Sequence, residues 1–172
     1  MYDISMLSKD QVLALINQQA GLSLTWEQVE FGEPIAATGE TPTRNTEMVI
    51  TGIPNSGYKG STTVYYDRID LVEFETLESH KILQIEGEPT IEKILQAFND
   101  LYGSNLQLDD IRDDHTIPLD VDGGVEFILR AAAGSYAYRG NATMTLQPAD
   151  VDLAVAIDDP MLNGLTLNRP AG

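Results

Sequence analysis

The chain has 172 residues, 42% of them hydrophobic, enough apolar side chain to bury a core as one large domain or two small ones. Ten Lys and Arg against 27 Asp and Glu leave a net charge of -17, which repels phosphate backbones and anionic lipid and so argues against nucleic-acid and membrane partners. Cysteine is absent, which excludes disulfides, thiolate metal sites and a cysteine nucleophile. The opening MYDISMLSKDQ has neither a basic start nor an apolar stretch, and the apolar run 125–133 is interrupted by Glu126 and Arg130. A soluble chain without a secretory signal or membrane span is expected.

The first helical signal is SKDQVLALINQQAG, with Ser8 as expected cap, Gln11 reaching back to close a capping box, and Val12, Leu13, Ile16 and Ala20 on one face. Gly21 suits the left-handed residue that ends it, and LTWEQV (24–29) then reads as a short docked turn. EMVIT (47–51) is strand-like and is followed by Pro, Asn, Ser and Gly, which lead into GYKGSTTVYY (57–66). Beyond it Glu73 and Glu75 alternate along a strand-like run, where they share a solvent-facing side. KILQIEG (81–87) reads as a short strand rather than a flexible linker, because it is mostly apolar and has no Gly/Ser repeats.

The second helix, PTIEKILQAFNDLYG, has Thr90 as its cap and a cleaner stripe of Ile91, Ile94, Leu95, Phe98, Leu101 and Tyr102, stopped by Gly103. LQLDDI (106–111) is its docked turn. The loop 109–124 collects carboxylates that would attract calcium, but the twelve-residue pattern with its closing glutamate is missing, which favours a solvated acidic loop. VEFILR (125–130) and AYRGNATMTL (137–146) make a second pair of strands. In PMLNGLTLNRPAG the Asn163-Gly164 pair suits a tight turn, so 159–172 reads as an edge hairpin or an arm reaching to a neighbour.

The two series match. At an offset of 82, Leu13 meets Leu95, Asn17 meets Asn99, Gly21 meets Gly103 and Leu24 meets Leu106, and Trp26/Leu108 and Val29/Ile111 keep apolar character. Tyr58, Lys59 and Gly60 lie over Tyr138, Arg139 and Gly140 at an offset of 80, and Asp70-Leu71 over Asp152-Leu153 at 82, which places two extra residues near Pro148. Few identities are involved, but the order and spacing of whole elements favour an internal duplication. The expected fold is α+β: helix plus antiparallel β-hairpin units, about 8–78 and 89–158, packed as one pseudo-two-fold domain. Two helices would cover strands on one side, because neither unit buries enough surface alone.

No catalytic constellation accompanies this scaffold. His80 and His115 lie in no metal-ligand spacing, no GxSxG elbow surrounds a serine, and the Gly-x-x-Gly of GYKG precedes a strand without the Lys-Ser/Thr of a phosphate loop. Neither a cofactor nor a metal is expected. Tyrosines concentrate around the two hairpins, and Tyr58-Lys59 with Tyr138-Arg139 form the candidate interface, since tyrosine beside a cation is a frequent hot-spot composition. Tyrosines packed in strands, or rings that stack on sugar, are the competing readings.

Asn17, Gly21, Leu24, Tyr58, Gly60, Val64, Arg68, Asp70 and Leu71, with Asn99, Gly103, Leu106, Tyr138, Gly140 and Asp152-Leu153, carry a resemblance that spans most of the chain. It resembles a repeated module of structural proteins in large tailed bacteriophages, although Gln147-Pro148 departs from the Asp-Arg step of the first copy. The resemblance implies a non-enzymatic virion protein, made in the host cytoplasm and binding other virion proteins in many symmetric copies. A capsid-associated or decoration role is expected, with a neck, tail or baseplate position, or a carbohydrate-binding module on a fibre, as alternatives.

Overall fold

A computed structural model describes residues 3–38, 44–76 and 82–149. The architecture is mixed, with two helices, several antiparallel strands and two parallel pairings. Helix α1 (Ser8–Ala20) is followed by β1 (Val29–Phe31), β2 (Ile35–Ala36), β3 (Thr46–Gly52), β4 (Ser61–Tyr66) and β5 (Ile69–Asp70). A 3-10 helix (Leu71–Thr76) and β6 (Ile82–Ile85) precede helix α2 (Ile91–Tyr102). A 3-10 turn (Leu108–Asp110), β7 (Val125–Arg130), β8 (Tyr138–Arg139) and β9 (Asn141–Pro148) complete the described chain.

The strands form two main sheets, not the single layer expected. In the first, β3 is central, with β1 and β2 along one edge and β4 along the other, all antiparallel. In the second, β9 is central, antiparallel to β7 and parallel to β6. Each sheet has its own core: Val12, Leu13, Leu24, Val29, Met48, Ile50 and Tyr66 in the first, and Ile94, Phe98, Leu129, Met144 and Leu146 among others in the second. Leu71, Phe74, Leu83 and Ile85, which precede α2 in sequence, are also buried in the second core. The segment after β4 therefore leaves the first sheet and completes the second.

Both helices end as their sequences dictate. Gly21 and Gly103 take left-handed φ values of 64° and 63°, and their N–H groups donate to Asn17 O and Asn99 O. The asparagine side chains then clamp the departing chain: the Asn17 carbonyl accepts from Leu24 N at 2.7 Å while its amide donates to Leu24 O at 2.9 Å. Asn99 holds Leu106 by the same two bonds, at 2.8 and 2.9 Å. This is why Leu24 and Leu106 can be buried, at 8% and 1% exposure, without orphaned backbone groups.

The docked turns also agree bond for bond. Thr25 N donates to Gln28 Oε1 and Gln107 N to Asp110 Oδ2, at 3.0 and 3.1 Å. The hairpin loops return to these turns through Ile53 N to Gln28 O and Ala132 N to Asp110 O, at 2.9 and 2.8 Å. Ser56 Oγ reaches Gln28 O, and Ser135 Oγ reaches the buried Asp110 carboxylate.

The helix starts differ. Thr90 caps α2 through Lys93 N at 3.3 Å, as expected. Ser8, in contrast, is the first residue of α1 and makes no cap; Leu7 precedes it, and Gln11 donates instead to Met6 O and to Tyr138. Tertiary contact has taken the side chain that would have closed the box. The expected strand through Glu73 and Glu75 is a 3-10 helix, because a helical spacing is what turns Leu71 and Phe74 together into the second core; Glu75 then accepts from Thr143 N. His80, Asp152-Leu153, the ends of both expected units and the 159–172 arm lie outside the described residues.

Replacing Asn99 or Asn17 by alanine strands two backbone groups of a buried leucine, so each variant should lose about 1–3 kcal/mol in urea unfolding. A variant as stable as the parent would show that these clamps carry no net stability.

Candidate protein interface

The two hairpin signatures occupy opposite situations. Tyr138 is fully buried, its hydroxyl accepts from Gln11 Nε2 at 3.1 Å, and its backbone N–H donates to Ser135 Oγ at 3.2 Å. Burial pushes its phenol up to about 12, with the Asp110 carboxylate adding to the rise and the Gln11 bond opposing it. Arg139 is half-exposed and pairs with Asp70 at 3.1 Å. Together these residues form β8, parallel to β5, with Ile69 opposite Tyr138 and Asp70 opposite Arg139. The Tyr138 ring therefore cannot serve an intermolecular contact as expected: its place is taken by the chain's own first half.

Tyr58 and Lys59 remain at the surface, Tyr58 with 39% exposure. Their backbone is held close under β3, where a Cβ on Gly52 would come within 2.8 Å of Tyr58 C and Lys59 N. Glycine is needed there for the loop to close, and Gly52 N donates to Gly60 O at 2.9 Å. Sequence reasoning thus joined four residues into one candidate site, of which the structure leaves Tyr58 and Lys59 on one exposed loop and puts Tyr138 and Arg139 in an internal junction.

That junction has further members outside the four candidate interface residues. Tyr66 Oη donates to Tyr136 O at 2.9 Å, Arg68 donates to Ala133 O and Ser135 O at 2.9 and 3.2 Å, and the Phe31 and Tyr136 rings lie 5.9 Å apart. Desolvation of the half-buried Arg68 lowers its pKa. The Tyr136 phenol is raised, first by burial and then by Glu33.

The first half exposes two other surfaces. On the outer face of the first sheet Ile35, Val49 and Tyr65 are 51%, 47% and 46% exposed, and Glu47 stands opposite both Ile35 and Tyr65. The alternation of β3 and β4 was the available signal for this apolar patch. Between α1 and β4 runs an open groove of about 270 Å³, lined by Val12, Ile16, Ala20, Val64 and Tyr66. It continues around Ile16 and Val64 to Tyr58 and Lys59.

His115 is built into the second half. Arg130 N donates to its Nε2 at 2.9 Å, which leaves Nδ1 to carry the proton donated to Arg112 O at 2.6 Å, and the ring stacks on Phe127. In the acidic loop, Asp110 is a buried turn residue and Arg112 pairs with Asp114. Among the described residues no group of three or more His, Asp or Glu is placed to hold a metal ion. Nor is any described helix long and apolar enough to cross a membrane.

With this geometry in view, the comparisons with known proteins give one result. The model of a family of unknown function, DUF7941, matches residues 1–171, and the chain belongs to that family. No curated protein and no solved structure matches it.

The glycines test the difference between the two loops. Gly60 and Gly140 both have left-handed φ, 81° and 73°, but a Cβ on Gly140 would fall on the Asp70 carboxylate whereas one on Gly60 meets nothing within 4 Å. Either alanine should cost roughly 1 kcal/mol for its backbone conformation, and Gly140→Ala should cost more. The excess should shrink in an Asp70→Ala background; an unchanged excess would rule out the clash.

Tyr138 sets an alkaline limit. Its folded pKa stands above that of an unfolded tyrosine, near 10, so the unfolded state loses its proton first as pH rises. The stabilisation is complete below about pH 10 and is lost as pH rises toward about 12. Urea midpoints should accordingly fall more steeply over that window for the parent than for Tyr138→Phe; parallel curves would contradict the assignment.

Proposed function

We propose that this chain is a non-enzymatic structural protein of a tailed-phage virion, capsid-associated or a decoration protein, made of two copies of one helix–turn–hairpin module. Neck, tail and baseplate positions are variants of the same reading. The observation that carries the repeated-module part of it is the recurring bond set: two asparagine clamps and two capped turns at the sequence offset of 82, and two serine-anchored hairpin loops in the same order at a neighbouring offset. Unrelated segments would have no reason to make matching contacts at corresponding positions in the same order.

The module is one that joins to its neighbour. Residues 69–76 and 82–85 leave the first sheet and supply Leu71, Phe74, Leu83 and Ile85 to the second core. The contact supports a head-to-tail relation between the copies. Gln11, near the start of α1, meets Tyr138, and a two-fold axis would set its counterpart Lys93 against Tyr58. Lys93 Nζ is instead held by Glu86 O and Glu88 O, both at 2.8 Å, and the described residues that line the groove beside Tyr58 all belong to the first copy.

The resemblance to phage structural modules supports reading this joining chemistry as a contact on a particle, with other virion proteins as partners. Exposed Tyr58 and Tyr65 favour a second reading, a carbohydrate-binding module on a fibre, but the burial of Tyr138 removes the paired platform that reading would use.

Mass spectrometry of washed, purified particles should find the chain in multiple copies, and its absence there would refute the virion assignment. A glycan-array signal abolished by Tyr58→Ala would instead support the carbohydrate reading.

A further inference from the structure

The second core displays what the groove of the first is shaped to hold. In the second copy, the counterpart of the α1–β4 groove lies between α2 and β9. There Leu71 and Phe74 fill the space, with Phe74 at 5.1 Å from the Phe98 ring and 4.9 Å from that of Tyr102, and Ile94, Phe98, Met144 and Leu146 are all 0–1% exposed. β6 then pairs in parallel with β9, and buries Leu83 and Ile85. In the first copy the counterparts Val12, Ile16, Ala20, Val64 and Tyr66 line the open groove, and no described strand lies along the outer edge of β4.

The occupant is written in the remainder of the sequence. At the repeat offset of 82, Asp152-Leu153 correspond to Asp70-Leu71, and Leu165 and Leu167 to Leu83 and Ile85. Twelve positions separate Asp70 from Ile82, and twelve separate Asp152 from Gly164. The charges also correspond: Asp70 pairs with Arg139, and the residue matching Arg139 is Lys59, for which Asp152 is the matching acid.

We propose that residues 152–167 of one molecule dock on the Tyr58–Lys59 loop and into the α1–β4 groove of a second copy of this chain, as residues 70–76 and 82–85 dock on the second half within one molecule. The inference rests on the duplicated-module reading and identifies a partner for it. The head-to-tail contact inside the chain leaves an acceptor at its first half and a donor at its second, and a heterologous contact of that kind continues into a neighbouring copy, making a ring or a filament. The molecule's own tail is the poorer occupant, because a two-fold return would carry the start of α2 to Tyr58, and Lys93 is held elsewhere.

The absence of native cysteine makes cross-linking a clean test. An Asp70→Cys/Arg139→Cys chain serves as the geometric control, since those residues are paired neighbours in β5 and β8. Lys59→Cys and Asp152→Cys chains, differently tagged and mixed, should form a disulfide-linked heterodimer in preference to either homodimer. Light scattering of the parent should show a concentration-dependent mass above that of one chain, reduced to one chain by Leu165→Asp/Leu167→Asp. An intramolecular disulfide in a Lys59→Cys/Asp152→Cys chain with no heterodimer in the mixture would overturn the proposal. So would failure of both while the control closes. These outcomes are separate from the particle assay: a chain present in washed virions but unable to cross-link would retain the virion reading and lose this one.

Discussion

The structure depends on one crossing. The segments 69–76 and 82–85, which follow the first sheet, pack with the second, where Leu71, Phe74, Leu83 and Ile85 become core and β5 and β6 become partners of β8 and β9. A single helix laid on a hairpin buries too little apolar surface to be stable alone. Supplying a neighbour with a strand and four buried side chains overcomes that limit, and it couples the folding of the two halves. Asp70 at one end of the crossing is fastened by Arg139, and Glu75 in its middle by the Thr143 amide.

Around the crossing, polar groups determine how each half closes. Asn17 and Asn99 replace the bonds lost where a helix stops, so that the next leucine can turn inward. Asp110 answers Gln107 N and Ser135 Oγ while nearly fully buried, a position where a carboxylate is tolerated only because donors surround it. The first half uses the neutral Gln28 at the corresponding place, and half of that role passes to its backbone carbonyl. The asymmetry follows burial: the second loop is covered by the first half, while the Tyr58 loop faces solvent.

That asymmetry bears on function. Two loops of nearly the same sequence have different surroundings, one packed against α1 and β5 and the other beside an open apolar groove. In the reading proposed above, the covered loop is a bound state and the open one a site awaiting its partner. The family match leaves the partner unspecified, and the chain's own internal contact is the most direct guide to it.

Much of this was legible in the sequence because it is local. Gly21 and Gly103 end helices through left-handed φ, Thr90 caps α2, KILQIEG contains a strand, and the Asn-to-Leu spacing recurs in both halves, although the spacing alone did not give the clamp. The Tyr-cation-Gly pattern located both loops, but Tyr58 and Tyr138 carry the same local signal, and nothing local tells which one is covered. Ser8 lost its capping role because Gln11 bonds Tyr138, 127 residues away. Glu73 and Glu75 left the strand pattern because Leu71 and Phe74 must enter a core belonging to the other half. Short-range backbone preference was therefore decided by the sequence itself; the division into two sheets, the parallel pairings and the burial of Tyr138 were decided only by tertiary structure, because burial is a property of what packs against a residue and not of the residue's neighbours in the chain.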